Sequence, residues 1–301
     1  MRGRRDKESG RGWRRDSATG AMPALVAGDG TMRPSAPPKL SVVIPTLNEE
    51  RNLPMVFAAI PHYVDEVIIF DGRSTDATIA VARKLRPDVR VIEQTRRGKG
   101  NALACGMAAA NGDIIITLDA DGSTDPGEIP RFLSVLRTGA DFAKGSRFMQ
   151  GGGSADITKL RRVGNGILSR FARVMFRTWF SDLCYGYNAF WRHCLPALGL
   201  DHELAPGEDP MQMRWGDGFE IETLVNVRVA MAKLNVAEVP SFERQRLFGQ
   251  SNLNATRDGF RVLRTLLRER AHGPVLKAGT PQTVSAARAD EMASVRGHAA
   301  S

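Results

Sequence analysis

The chain predicts an α/β protein built on a doubly wound, mostly parallel sheet, and three observations carry that expectation. Apolar runs of strand length alternate with helical patterns from residue 40 onward. The connections between them are short, as repeated β-α units require. The runs are continuous rather than alternating, Ile114-Ile115-Ile116-Thr117-Leu118 above all, which is how a strand buried on both faces reads.

Taken in order, Leu40–Pro45 is a strand and Glu50–Ile60 a helix. The next strand is Glu66–Phe70, and a helix runs from after Ser74 to Arg86. Val89–Glu93 is a third strand, Gly98–Ala110 a small-residue helix, and Asp113–Leu118 a fourth strand. Helix 127–137 and strand 140–144 close the first half. The second half carries a basic amphipathic helix near 160–180 and a short strand near Tyr187–Trp191. A helix 218–230, a strand 234–239 and a final helix 256–270 follow. No internal repeat is present. Residues 1–38 are rich in Arg, Gly, Ser, Ala and Pro without apolar periodicity and are expected to be a disordered basic extension. Residues 39–270 form the expected ordered domain, and 271–301 a flexible tail.

The net charge of +9 invites a nucleic-acid partner until it is located along the chain. Residues 1–39 hold nine Lys/Arg against four Asp/Glu, whereas residues 40–252 hold 25 of each sign. The part bearing the motifs is neutral, so no nucleic-acid groove is expected. Three cysteines without paired metal-ligand spacing fit reduced thiols in a cytoplasmic protein. No stretch approaches the roughly 18 apolar residues of a membrane span, and no apolar segment follows the basic N-terminus as in a secretory signal.

The chemistry concentrates at strand ends. Asp119-Ala120-Asp121 closes the fourth strand, at the edge where open α/β sheets hold ligands. Two carboxylates this close repel unless a cation sits between them. An oxygen-only pair suits Mg²⁺ or Mn²⁺, which keeps waters and takes further ligands from a substrate diphosphate. The plain alternative is a turn, for which Asp121-Gly122 is ordinary. The first strand ends in Pro45-Thr46-Leu47-Asn48-Glu49-Glu50, with Asn48 an expected N-cap. The second ends in Asp71-Gly72-Arg73-Ser74-Thr75-Asp76. There Ser74 or Thr75 caps the next helix and Asp76 favours its positive end, which leaves Asp71 for a ribose or base. In Arg96-Arg97-Gly98-Lys99-Gly100 the glycines open a helix N-terminus to an anion and Lys99 adds a cation, although the Walker A spacing is missing. Asp125-Pro126-Gly127-Glu128 reads as a capping box. Lys144-Gly145-Ser146-Arg147 is a cationic strand end in which Arg147 suits bidentate phosphate binding.

Together, the runs at 45–50, 71–76, 98–100 and 119–121 resemble the signature of glycosyltransferase family 2 on a GT-A fold. Lys144-Gly145-Ser146-Arg147-Phe148, Glu238-Val239-Pro240 and Arg246-Leu247-Phe248-Gly249-Gln250-Ser251 are similar to the dolichyl- or polyprenyl-phosphate mannose synthase-like branch. The resemblance spans roughly residues 40–260. It implies that Pro45, Leu47 and Glu49 line the nucleotide site and that Asp71 holds the base or ribose. Asp119 and Asp121, with Ala120 between them, would serve the metal and diphosphate. Arg147 would face the transferring centre or an acceptor phosphate, and Arg246 the donor phosphates. The sequence departs from the family at Leu47, where an aromatic is frequent, and at Asn252, where the branch often has Lys.

The resemblance implies metal-dependent, inverting transfer from a nucleoside-diphosphate sugar, with the metal, Lys99 and Arg246 stabilising the departing diphosphate. A hydroxyl acceptor needs a carboxylate base, for which Asp182, Glu220 and Glu222 are the candidates. A lipid-phosphate acceptor is already anionic and needs only cations. Arg170, Arg173 and Arg177 beside Phe171, Val174, Met175 and Trp179 form one basic amphipathic stretch. Arg257, Arg261, Arg264 and Arg268 beside Phe260, Leu263 and Leu267 form another. Each fits either a helix on its own core or one lying on the inner face of a membrane. The expected acceptor is a polyprenyl phosphate. A soluble hydroxyl acceptor, a nucleotide-sugar pyrophosphorylase and a non-catalytic nucleotide-sugar-binding protein are the alternatives, and oligomeric state is left open.

Overall fold

A computed structural model describes residues 37–200, 209–249 and 253–275. Residues 1–36 of the expected 1–38 extension, residues 276–301 of the expected 271–301 tail, and Gln250, Ser251 and Asn252 lie outside the described residues. Seven strands form one sheet in the order β3-β2-β1-β4-β7-β5-β8. They are β1 (Leu40–Thr46), β2 (Glu66–Asp71), β3 (Arg90–Glu93), β4 (Ile114–Thr117), β5 (Phe142–Ser146), β7 (Asn188–Trp191) and β8 (Val236–Pro240). All neighbours run parallel except β7, which is antiparallel to β4 and β5. Two short strands, β6 (Gly153–Ser154) and β9 (Phe242–Glu243), pair beside it. The expected α/β architecture is thus observed. The sequence order alone did not show that β7 returns between β4 and β5.

Helices cover both faces. On one, α1 (Leu53–Ala59), α2 (Thr78–Leu85) and α4 (Ile129–Arg137) pack Leu53, Val56, Ala82, Phe132 and Leu136 against Val42, Ile44 and Ile116. On the other, α3 (Lys99–Ala109), α6 (Leu195–Leu198) and α7 (Ile221–Met231) cover Val43, Ile68 and Ile115. The small residues of α3 allow close approach: a Cβ on Gly106 would lie 2.2 Å from a Val43 methyl. Outside α7 lie α5 (Lys159–Phe176) and α8 (Ala255–His272), joined through Ala172, Val227, Val262 and Leu266. Among the described residues no helix is long and apolar enough to cross a membrane.

The strand order reverses between β1 and β4, because the chain passes outward through β2 and β3 and then returns. This switch point brings the C-terminal ends of β1, β2 and β4 to one edge, where open sheets bind ligands. Local capping differs from expectation in ways that tighten this edge. Asn48 does not cap α1, which starts at Leu53 with Pro54 in its first turn. Its side-chain oxygen accepts the Thr75 N–H at 2.8 Å, and its own N–H donates to Ser74 Oγ at 2.9 Å, so it laces two loops together. At α2 neither Ser74 nor Thr75 caps; Asp76 accepts the Thr78 N–H at 2.9 Å. Asp125 does accept the Gly127 N–H at 2.9 Å. Glu128, however, takes Ser241 Oγ and the Phe242 N–H, clipping α4 to the end of β8 rather than completing a box.

Candidate active site

The Asp pair follows β4 directly. Asp119 is ion-paired with Lys99 at 2.7 Å, and Asp121 with Arg246 at 2.6 Å. Asp121 also accepts the Ser123 N–H at 2.9 Å, the turn geometry an Asp-x-Ser step favours. The segment bearing Arg246 lies over this turn: the Arg244 N–H donates to the Ser123 carbonyl at 2.8 Å and the Leu247 N–H to the Asp121 carbonyl at 3.3 Å. Asn52 anchors its far end by exchanging two hydrogen bonds with Phe248. Glu49 accepts from Asn52 at 2.5 Å. Burial raises the Glu49 pKa, opposed by that hydrogen bond and reinforced by the Asp121 and Asp119 charges. Three carboxylates thus share one edge, faced by two cations.

Lys99 bridges Asp119 and Glu222, the latter at 2.8 Å. Burial lowers its pKa, but the two carboxylates outweigh that and hold the ammonium charged. Glu222 is buried, which raises its pKa; Lys99 pulls it back and the Asp119 charge raises it again. The glycines flanking Lys99 have a different use from the expected anion cradle. The Gly100 N–H donates to the Asp217 carbonyl at 2.7 Å, so the 216–218 backbone plugs this helix N-terminus. A Cβ on Gly100 would sit 1.9 Å from the Gly216 carbonyl oxygen, and one on Gly98, where φ is 126°, 2.1 Å from that of Asp217. Gly100→Ala is therefore expected to cost about 1–3 kcal/mol and to displace Lys99. A thermal melt and a turnover assay should both register the loss, and a variant indistinguishable from wild type would refute the contact.

Sequence reasoning missed the clamp behind this loop. Arg96, 1% exposed, makes bidentate bonds to Asp217 at 2.9 and 2.8 Å. The paired Gly-rich steps at 98–100 and 216–218 were the signal that two backbones meet here. Of the nucleotide-side residues, Pro45 pairs in register with Phe70, Ala120 is buried, and Leu47 stands 43% exposed at the rim. Asp71 is buried and accepts the Ser74 N–H at 2.8 Å and its hydroxyl at 2.6 Å, so it also organises its own turn.

Arg147 and Asp182 face each other in a buried pair. The Arg147 Nε donates to Asp182 at 2.7 Å and a terminal nitrogen at 3.0 Å, while the other reaches both Glu243 oxygens at 3.1 Å. In this arrangement Arg147 is caged by two carboxylates rather than presented to a phosphate, and Asp182 is not a free base. Burial would raise the Asp182 pKa, but the Arg147 guanidinium holds it below the usual carboxylate range. Glu243 was not among the expected residues; it follows β8 with no motif to mark it. Lys144 is also interior, donating to the Tyr185 carbonyl at 2.7 Å and the Gly145 carbonyl at 3.0 Å, with its pKa lowered by burial. Glu220, another of the candidate bases, is buried and accepts the Gly216 and Gly218 N–H groups.

Among the described residues no group of three or more His, Cys, Asp or Glu is poised to hold a metal. The donor chemistry fits a hard divalent ion all the same. Asp119 and Asp121 offer two oxygen ligands at a partly open edge, with side chains 25% and 10% exposed. Mg²⁺ and Mn²⁺ characteristically take few protein carboxylates and complete their shells with water and substrate phosphates.

The family model for glycosyl transferase family 2 matches residues 41–195. A dolichyl-phosphate hexose transferase of Haloferax volcanii is 29% identical over 232 residues, 76% of this chain and 92% of that protein. An undecaprenyl-phosphate mannosyltransferase of Micrococcus luteus is 29% identical over 225 residues, 72% of this chain and 88% of that protein. Among solved structures, the glucosyl-3-phosphoglycerate synthase of Mycobacterium tuberculosis in complex with Mn²⁺, UDP and glucosyl-3-phosphoglycerate superposes with a TM-score of 0.56 at 23% identity. It covers 79% of this chain and 81% of its own, and establishes the GT-A fold. The architecture and the relatives define a glycosyltransferase close to the polyprenol-phosphate mannose synthases. The chain belongs to glycosyl transferase family 2.

Proposed function

We propose that the protein moves a sugar, with inversion, from a nucleoside-diphosphate donor to a polyprenyl phosphate. The observation that carries the donor half is the Glu49, Asp119 and Asp121 edge faced by Lys99 and Arg246. Asp119 and Asp121 would hold Mg²⁺ or Mn²⁺, whose Lewis acidity would neutralise charge on a bound diphosphate. Lys99 and Arg246 are the side chains placed to take up charge developing on the leaving group. Pro45 and Leu47 would line the base and Asp71 would set the ribose side. A phosphate acceptor is ionised at neutral pH and needs no base, so the engagement of Asp182 with Arg147 is no obstacle. Arg147, steadied from both sides, would act by shaping the acceptor side. A soluble hydroxyl acceptor is the second reading, favoured by the raised Glu222 pKa next to Lys99.

A thermal-shift panel of GDP- and UDP-sugars with and without Mn²⁺ tests the donor, since selective binding raises the melting temperature by mass action. Transfer to undecaprenyl phosphate in mixed micelles tests the acceptor. Glu222→Gln separates the readings: a phosphate acceptor predicts retained turnover, a hydroxyl acceptor its near-total loss.

The surface supports a lipid acceptor. Lys159–Phe180 contains six Lys/Arg and no Asp or Glu. On α5 the residues facing inward are Asn165, Ser169 and Ala172, whereas Leu160, Val163, Ile167 and Val174 are 59–77% exposed in one stripe. An outward apolar stripe between cations fits the interface of an anionic bilayer. Ile167→Glu with Val174→Glu is expected to weaken sedimentation with phosphatidylglycerol vesicles at least about tenfold, from the roughly 1.5–3 kcal/mol each buried side chain supplies. Both side chains are solvent-exposed, so the fold should be unchanged; equal vesicle binding by the variant would remove the membrane from this reading.

A further inference from the structure

The buried Arg96–Asp217 pair closes a ring of contacts around the base of Lys99. The Arg96 N–H donates to Asn101 Oδ1 at 2.9 Å, inside the first turn of α3. The Gly100 N–H donates to the Asp217 carbonyl at 2.7 Å, and the Asp217 carboxylate returns to the Arg96 guanidinium through two bonds. Within this ring α3 starts at Gly98 without a side-chain cap, so local structure does little to fix where Lys99 begins. Asp217 also accepts the Arg214 N–H at 2.7 Å, which turns the loop toward α7. Glu222 stands in the first turn of that helix and holds the Lys99 ammonium at 2.8 Å. One loop therefore braces the Lys99 backbone and delivers a carboxylate to its side chain. Stability alone does not account for the pair, because apolar side chains of similar volume often serve a buried position equally well.

We infer that Arg96 and Asp217 are positioning residues: through the 216–218 backbone they set where the Lys99 ammonium stands. The inference rests on the proposed role of Lys99 at the departing diphosphate and adds the pair that aims it. A lysine is a point charge on a flexible stem, and here the stem rises between two glycines. A planar guanidinium–carboxylate fork fixes direction as well as distance, which the ammonium arm by itself does not. A shift of the loop moves the start of α3 and Glu222 together, so both ends of Lys99 move. Misplacement by about 1 Å is enough to cost on the order of 10²-fold in rate. Arg96 and Asp217 are interior, 1% and 0% exposed, and act through Lys99 rather than on the donor.

A double-mutant cycle on the full chain tests this. Arg96→Lys keeps the charge and loses the bidentate geometry. With Mn²⁺ present, GDP and UDP are titrated alongside GMP and UMP, which lack the phosphoryl group that carries the sugar. Arg96→Lys is expected to weaken the diphosphate that binds by about tenfold and to lower kcat at saturating donor, with the matching monophosphate unchanged. In a Lys99→Gln background the same substitution should add nothing to the loss of diphosphate binding, because no ammonium remains to be aimed. A pair that only supports the fold would weaken diphosphate and monophosphate alike, by the same factor in both backgrounds, and that result overturns the inference. Should Arg96→Lys fail to fold, Asp217→Glu, which keeps both charges and lengthens one arm, enters the same cycle with the same expectations. Lys99→Gln that binds the diphosphate as wild type does would remove Lys99 from the donor site, and the inference falls with that reading. Weakened binding in Lys99→Gln beside unchanged binding in Arg96→Lys refutes the inference alone.

Discussion

Asp121→Asn is expected to lower the rate of sugar transfer by about 10²–10³-fold while leaving the protein folded. The exchange keeps the side-chain shape and the oxygen that accepts the Ser123 N–H. It removes one of the two anionic oxygen ligands proposed for the divalent ion and leaves Arg246 facing an amide. The ion pair it breaks is partly open to solvent, with Arg246 22% exposed, so the stability lost is small, about 1 kcal/mol or less. Relief of repulsion with Asp119 and Glu49 offsets part of that. Donor binding in the presence of Mn²⁺ should weaken in parallel, because the bound diphosphate and the ion share ligands. Turnover at saturating donor, melting temperature and Mn²⁺-dependent donor stabilisation together test the claim. Turnover within tenfold of wild type would remove the paired carboxylates from the chemistry.

The edge of β1, β2 and β4 was legible in the sequence because it depends on local signals. Continuous apolar strands end in short polar turns, and a doubly wound order places those turns together. Asp119, Asp121 and Lys99 could be named from position for that reason, and Glu49 from the family resemblance. What the sequence did not reveal is how cations and anions far apart in the chain are shared out. Arg147 reads as a phosphate ligand until Glu243, 96 residues later, is seen to occupy its other side. Lys99 reads as part of an anion-binding loop until the 216–218 backbone is seen to fill that loop. Both cases turn on long-range pairing of buried charge, where cancelling desolvation by a partner decides the structure and nothing in local spacing records who the partner is. The fate of β7 has the same origin. A four-residue strand can pair in either direction, and only the return path after α5 inserts it antiparallel between β4 and β5.

Asp182→Asn is the substitution with the largest expected effect on stability. Asp182 is fully buried and takes two bonds from Arg147 at 2.7 and 3.0 Å, along with the Arg147 backbone N–H at 3.2 Å. Removing one partner of a buried pair leaves the other charged and desolvated, at a cost of about 3–5 kcal/mol. Glu243 still neutralises Arg147, so the lower end of that range applies, and a domain of this size should lose about 6–12 °C in melting temperature. The pH dependence has a definite sign. The Asp182 pKa is lowered in the folded protein, so its contribution is fully present above the unfolded carboxylate value of about 3.9. It is lost as pH falls through the lower folded value. The gap between wild type and variant in urea melts should therefore be constant from pH 7 down to about 5 and close only in stronger acid. The same variant decides the role of Asp182 in catalysis. Assayed at a temperature where it remains folded, it should still transfer sugar to a phosphate acceptor, because no proton has to be removed from that acceptor. A folded variant that binds donor normally but has lost turnover entirely would instead make Asp182 a base and the acceptor a hydroxyl.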